Sequence, residues 1–164
     1  MRTSVDVHNF LVERDVPHEV VPTRGRLRSA ERISSVLDLP PDQVGKVVIF
    51  ESRTEPIAAV VPAGEEPDPT LLVKAVKRGR LSAATDERAS ELTEYLAESV
   101  PPAGLPNGFM VVLDDSLDRD DVLYFAGGEV RAVLKIRGKD LARATNARVA
   151  PIVHPRRSSS LKRR

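Results

Sequence analysis

The chain contains no cysteine and no tryptophan among its 164 residues. The missing cysteine excludes disulfides and thiolate metal ligands, and it fits a reducing compartment. Aromatic residues make up only 4% of the chain, so a core must be built from Val, Leu, Ile and Ala. Long hydrophobic runs are also missing. The longest, residues 57–61 and 109–113, fall far short of the ~20 residues needed to cross a bilayer. The first ten residues carry Arg2, Asp6 and His8 and have no apolar h-region. We therefore expect no signal peptide and a cytoplasmic location. Three histidines, His8, His18 and His154, show no metal-ligand spacing. No nucleophile elbow is present. The acidic run 114–121 has Arg119 where a calcium loop needs a glycine, so it reads as a solvated turn between strands. Gly127 and Gly128 lack dinucleotide-binding spacing and read as a plain turn. No metal and no other cofactor is expected.

What is present is an ordinary globular composition, 41% hydrophobic and 30% charged, in a chain long enough for one well-filled core. The net charge of +1 hides an asymmetry. Arg156, Arg157, Lys162, Arg163 and Arg164 crowd the last eleven residues without a single acid. Without those five, 20 cations face 24 acids, and the body carries −4. The body is thus no general nucleic-acid binder, and any RNA contact must be local. We expect one domain over 1–153 and a basic, disordered tail over 154–164.

Local patterns give the elements. Residues 3–14 read as an amphipathic helix ended by Val16-Pro17, followed by a short strand at 18–21. Ser29 caps a helix that runs through Leu37. The runs 47–50 and 57–61 are rich in β-branched residues and flank a polar turn, the signature of a hairpin. Asp68-Pro69 starts a helix to about Lys77. A weak strand at 81–84 precedes a helix capped by Thr85 that extends to about Glu98. Strands follow at 109–113, 122–125 and 133–136, then a helix at 139–145 and a strand at 147–153. Helix and strand mix without strict βαβ alternation. The expected fold is therefore α/β of the α+β type, with a mixed, largely antiparallel sheet surrounded by helices.

Two basic clusters stand out: Arg24, Arg26 and Arg28, and then Lys74, Lys77, Arg78 and Arg80. Either could meet phosphates, and either could be a solvated face. Lys46, taken alone, is a lysine at the start of a strand. Its neighbours say more. Helix 29–37, the turn Leu37-Asp38-Leu39-Pro40 and Lys46 leading Val47-Val48-Ile49-Phe50 come first. Ala59-Val60-Val61-Pro62, Leu81-Ser82-Ala83-Ala84 and Leu92-Thr93-Glu94-Tyr95 come next. Pro102-Ala103-Gly104 and then 122–128 complete the series. In this order they resemble the YbaK/prolyl-tRNA-synthetase-associated editing domain over roughly 5–152.

That resemblance implies hydrolysis of the ester joining a wrong amino acid to tRNA. It implies Lys46 and Gly104 as the residues that carry activity, Pro102 and Ala103 as the substrate-binding turn, and Arg131 in the region where many members select the amino acid. The ester is already activated, which agrees with the lack of a triad; orientation, a placed water and charge stabilisation would suffice. Lys46 could serve the oxyanion or the terminal phosphate. The implied partner is a mischarged tRNA, with an aminoacyl-tRNA synthetase as a second; no membrane or DNA partner is expected. Arg24, Arg26, Arg28, Lys77, Arg78 and Arg80 are the tRNA-contact candidates. At this length no synthetase domain is expected on the chain. Val47 departs from the polar residue common after the family's lysine, and Glu129-Val130-Arg131 replaces its usual histidine or asparagine. A non-catalytic tRNA- or synthetase-binding module with the same fold is the alternative, and a nucleic-acid binder acting through the basic tail is a third reading.

Overall fold

A strand that is apolar at every position must be covered on both faces. In the computed structural model, which describes residues 1–154, β3 (Pro56–Pro62) meets that demand. Ile57, Ala58, Ala59, Val60 and Val61 are all buried. Because side chains alternate along a strand, Ile57, Ala59 and Val61 enter one core and Ala58 and Val60 another. β3 is central in a five-stranded sheet of order β4-β2-β3-β5-β8. Here β2 is Gly45–Glu51, β4 Ser82–Ala83, β5 Met110–Asp114 and β8 Arg148–Ala150. β2 and β3 form the expected hairpin, in register from Gly45↔Pro62 to Glu51↔Pro56. β5 runs parallel to β3, and β8 parallel to β5.

The remaining strands, β1 (Glu19–Pro22), β6 (Val122–Ala126) and β7 (Ala132–Arg137), make a separate antiparallel sheet of order β1-β7-β6. The fold is therefore α+β and mixed, as expected, but with two sheets. Their facing sides share the main core, where Ile49, Val60 and Leu113 of the larger sheet join Leu123, Phe125, Leu134 and Ile136 of the smaller. Each such side chain contributes about 1.5–3 kcal/mol through burial. A parallel bridge, Val44↔Tyr124, ties the sheets together where β2 begins.

Five helices cover this frame: α1 (Ser4–Glu13), α2 (Ala30–Val36), α3 (Pro69–Val76), α4 (Asp86–Thr93) and α5 (Gly138–Thr145). Thr3, Ser29, Asp68 and Thr85 cap the first four by accepting backbone N–H bonds. α3 covers the outer face of the larger sheet through Leu72 and Val76. α2 lies on the outer face of the smaller one, where Ile33 meets Val44 and Val133.

Three expectations need correction. α4 ends at Thr93, because Glu94 turns left-handed (φ 65°) and sends Tyr95 into the core. A short 3-10 turn, Ala97–Ser99, follows in place of the continued helix. β8 stops at Ala150, before Pro151, which has no N–H for a ladder. The run 114–121 is not wholly solvated: Asp114 is buried and accepts the backbone N–H groups of Ser116 and Ile152. The basic tail expected from 154 onward lies, beyond His154 itself, outside the described residues.

Candidate functional site

Gly45 sets the position of Lys46. A Cβ on Gly45 would sit 2.1 Å from Cε1 of Phe125, so the chain enters β2 pressed against that ring. Lys46 comes next, paired across the hairpin with Val61. Its side chain is only 18% exposed. Its Nζ donates to the Glu66 carboxylate and lies 3.6 Å from that of Glu31. Glu31 stands in the first turn of α2 and also accepts the Gly64 backbone N–H at 3.2 Å. Glu31's own backbone amide, and then Lys46 and Gly64, hold its carboxyl below the usual glutamate range, against the opposing effect of burial. The lysine thus bridges α2 and the turn after β3.

Beside Lys46 is a cavity of about 110 Å³. Gly45, Lys46 and Val47 form one wall, Ala97, Glu98 and Val100 another, and Ala126 closes the β6 end. Arg28, Ser29 and Ala30 complete it. Glu98 is ion-paired with Arg26 at 3.2 Å. The cavity therefore offers Lys46 and Arg28 as cations, Glu98 as an acid, and the apolar side chains of Val47, Val100 and Ala126.

Gly104 is placed differently. It is buried, with φ 80°, a conformation that favours glycine. A Cβ there would meet Val7 Cα at 3.0 Å, Tyr95 Oη at 3.1 Å and the Asp6 carbonyl oxygen at 3.3 Å. Its close approach is thus to the backbone of α1. Its carbonyl accepts the Tyr95 hydroxyl at 2.7 Å. Burial first, and then the Asp6 charge, push the Tyr95 phenol well above its ordinary value, so it stays a donor. Pro102, Ala103 and Gly104 line a second cavity of about 260 Å³ with Phe10 and Phe109. Lys46 and Gly104 are therefore not in one cavity. The segment 97–104 connects them, with Val100 on the Lys46 side and Gly104 on the other.

A family model for the aminoacyl-tRNA editing domain matches residues 25–144. The chain belongs to that family. The matched span holds Lys46, both its carboxylate partners, Glu98 and Gly104. The fold is similar to the crystal structure of a hypothetical protein (TM-score 0.84, 22% identity, covering 91% of this chain and 99% of that one). It is also similar to a protein described as a candidate trans-editing enzyme for prolyl tRNA synthetase (TM-score 0.82, 25% identity, covering 94% and 99%). No curated protein matches the chain.

The other candidates distribute unevenly around this editing domain. The Arg131 side chain is exposed and lines none of these cavities, while its carbonyl accepts the Thr23 N–H at 2.8 Å. Arg24 and Arg26 line a larger groove next to the Lys46 cavity, and Arg28 lines the cavity itself. The second basic cluster is remote. Arg78 is paired at 2.7 Å with Glu55, in the turn that joins β2 to β3. That turn is at the opposite end of β2 from Lys46, about 17 Å along the strand at ~3.3 Å per residue. Lys77 and Arg80 are exposed there. Among the described residues no group of three or more His, Cys, Asp or Glu could hold a metal ion. His8 and His18, which sequence leaves unrelated, meet with Nδ1 and Nε2 2.9 Å apart.

Sequence reasoning missed Glu31, Glu66 and Glu98. Glu31 lies one residue past the α2 start, and Glu66 follows the proline that ends β3. Neither position signals its lysine partner, because the contacts span 15 and 20 residues of chain. By sequence Glu98 reads as the end of a helix, which in the structure stops at Thr93.

Proposed function

We propose that the protein is an aminoacyl-tRNA deacylase acting in trans, hydrolysing the ester of mischarged tRNA. The observation that carries this reading is the mostly buried Lys46 beside a small cavity in an editing-domain fold. At about 110 Å³ the cavity is small against the roughly 300–1,000 Å³ of drug-sized ligand sites. That size suits a small amino acid. Glu98 is placed to attract the free α-ammonium of the aminoacyl group, and Val47, Val100 and Ala126 give the side chain an apolar seat.

In the reaction a water oxygen attacks the ester carbonyl carbon. The carbonyl oxygen takes up negative charge, and Lys46 stabilises it as the tetrahedral intermediate forms. Collapse breaks the bond from carbon to the ribose oxygen. That oxygen takes one proton from the attacking water, the other passes to solvent, and the amino acid leaves as its carboxylate. Glu31 keeps Lys46 aimed throughout. Glu66, whose side chain is 76% exposed, is the partner that substrate displaces. Gly104 acts through position: with Tyr95 it fixes the segment whose other end presents Glu98 and Val100.

The match to a candidate trans-editing enzyme for prolyl tRNA synthetase, over 99% of that chain, supports action in trans and a synthetase as a second partner. A second reading rests on one observation: Lys46 already holds two carboxylates, as a lysine retained for structure would. That protein would bind tRNA and leave every ester intact. Purified protein and its Lys46→Ala variant, assayed on a panel of mischarged tRNAs, separate the two.

A further inference from the structure

The outer face of the smaller sheet is only partly covered. α2 lies over one side of it, and beside α2 runs a groove of about 530 Å³. Its apolar surface comes from Val36, Leu37 and Leu39 on one side and from Tyr124 and Val133 on the other. Val36 and Leu37 are 50% and 38% exposed, which is unusual for side chains of this kind standing together. The rim holds Arg24, Arg26, Arg32 and Lys135, and no carboxylate lines the groove. Arg24 and Arg32 have no acidic partner among the described residues. Lys135 stands over the Tyr124 ring, 5.7 Å from its centroid.

We propose that this groove binds a nucleotide of the single-stranded 3′ end of tRNA, its base against Tyr124 and the aliphatic floor and its phosphates on Arg24 and Arg32. The proposal rests on the deacylase reading for the identity of the RNA. Three observations favour this occupant. The lining holds four cations and no carboxylate on a body whose overall charge is −4; Arg26 and Lys135 are paired with Glu98 and Glu19 outside the lining, so Arg24 and Arg32 carry the local excess that opposes the global sign. An aromatic face with cations around it is the chemistry that holds unpaired nucleic acid, by stacking and by phosphate contact. The groove also adjoins the cavity that would take the ester. Residues 21–27 line the groove and residues 28–30 line the Lys46 cavity, so one continuous segment walls both. Arg24 and Arg28 are four residues apart, at most ~14 Å along the chain. Arg26, on the groove, is bonded to Glu98, on the cavity. A strand whose terminal residue enters the cavity passes the groove just before it.

The test uses the full chain and a short, uncharged-end RNA, a single-stranded oligonucleotide ending in CCA without an amino acid. Affinity is measured by fluorescence anisotropy across a salt series. Arg24→Ala with Arg32→Ala should weaken binding about tenfold or more and lower the salt slope by close to two phosphate contacts. Tyr124→Leu should weaken it at least fivefold with the slope unchanged. Val36→Glu, at an exposed position, should also abolish binding while circular dichroism stays that of the parent, which guards against a misfolded Tyr124 variant. In deacylation assays the groove variants should raise KM and spare kcat. RNA that binds the groove without any hydrolysis sinks the deacylase reading and keeps the site. Hydrolysis with unchanged KM in all three variants overturns the groove. So does an acidic peptide of equal charge that binds as well as the RNA and is indifferent to Tyr124.

Discussion

At Lys46 a positive charge is kept out of bulk water by 82% of its side-chain surface and is held by carboxylates on two different elements. Glu31 is the more constrained of these, and its lowered pKa has a consequence for pH. A carboxyl whose folded pKa is depressed stabilises the fold above its unfolded value, about 4.3, and loses that contribution as pH falls through its folded value. Glu31→Gln should therefore cost stability at pH 7 and cost progressively less below about pH 4. The side chain is 53% exposed, so the loss should be only about 0.5 kcal/mol. Urea unfolding of both proteins at the two pH values checks this, and a gap that widens in acid would contradict it. Tyr95 gives a larger effect. Tyr95→Phe leaves the buried Gly104 carbonyl with only the distant Arg2 Nη1 at 3.5 Å. We expect a loss of about 1–3 kcal/mol in urea unfolding. Gly104→Ala should both destabilise the fold and slow turnover, since the methyl group meets α1 in a left-handed conformation.

The entry to β2 shows what one element requires. Gly45→Ala would drive a methyl group into the Phe125 ring at the junction of the two sheets. Overpacking of this kind costs about 1–3 kcal/mol or more, so the urea midpoint should fall clearly; a variant as stable as the parent would mean the sheets are not packed as described. At this scale the sequence was largely readable. β-branched runs announced β2, β3 and β5, and Ser29, Asp68 and Thr85 announced helix starts, because these signals are local. Two features were not. α4 reads on toward Glu98 by composition, and only the demand of the core for Tyr95 ends it at Thr93. Nothing local separates one mixed sheet from two, because strand pairing is decided by contacts such as Glu19↔Lys135 between residues far apart in the chain. The candidate site divides the same way. Lys46 could be found from an ordered series of short motifs, whereas Glu31, Glu66 and Glu98 are glutamates in a chain rich in them, and folding alone brings them to the lysine.

Over the whole molecule, charge is arranged against the average: an acidic body presents cations beside the Lys46 cavity, and the sequence adds five more after His154. Truncation after His154 leaves Ile152 in its core and Val153 bridged to Pro67, so the fold should survive. If the tail touches the RNA backbone, tRNA affinity should weaken alike for all tRNAs and the salt slope should fall. An unchanged slope would leave RNA contact to the groove residues alone. The central claim is that the mostly buried lysine beside a small cavity serves ester hydrolysis. Its most direct test is the deacylation rate of wild-type and Lys46→Ala protein on tRNAs mischarged with small amino acids. The account predicts hydrolysis of at least one such tRNA by the wild type and a loss of about 10²-fold or more in the variant, with circular dichroism unchanged. A variant as fast as the parent, or a wild type that hydrolyses none of them, would contradict it.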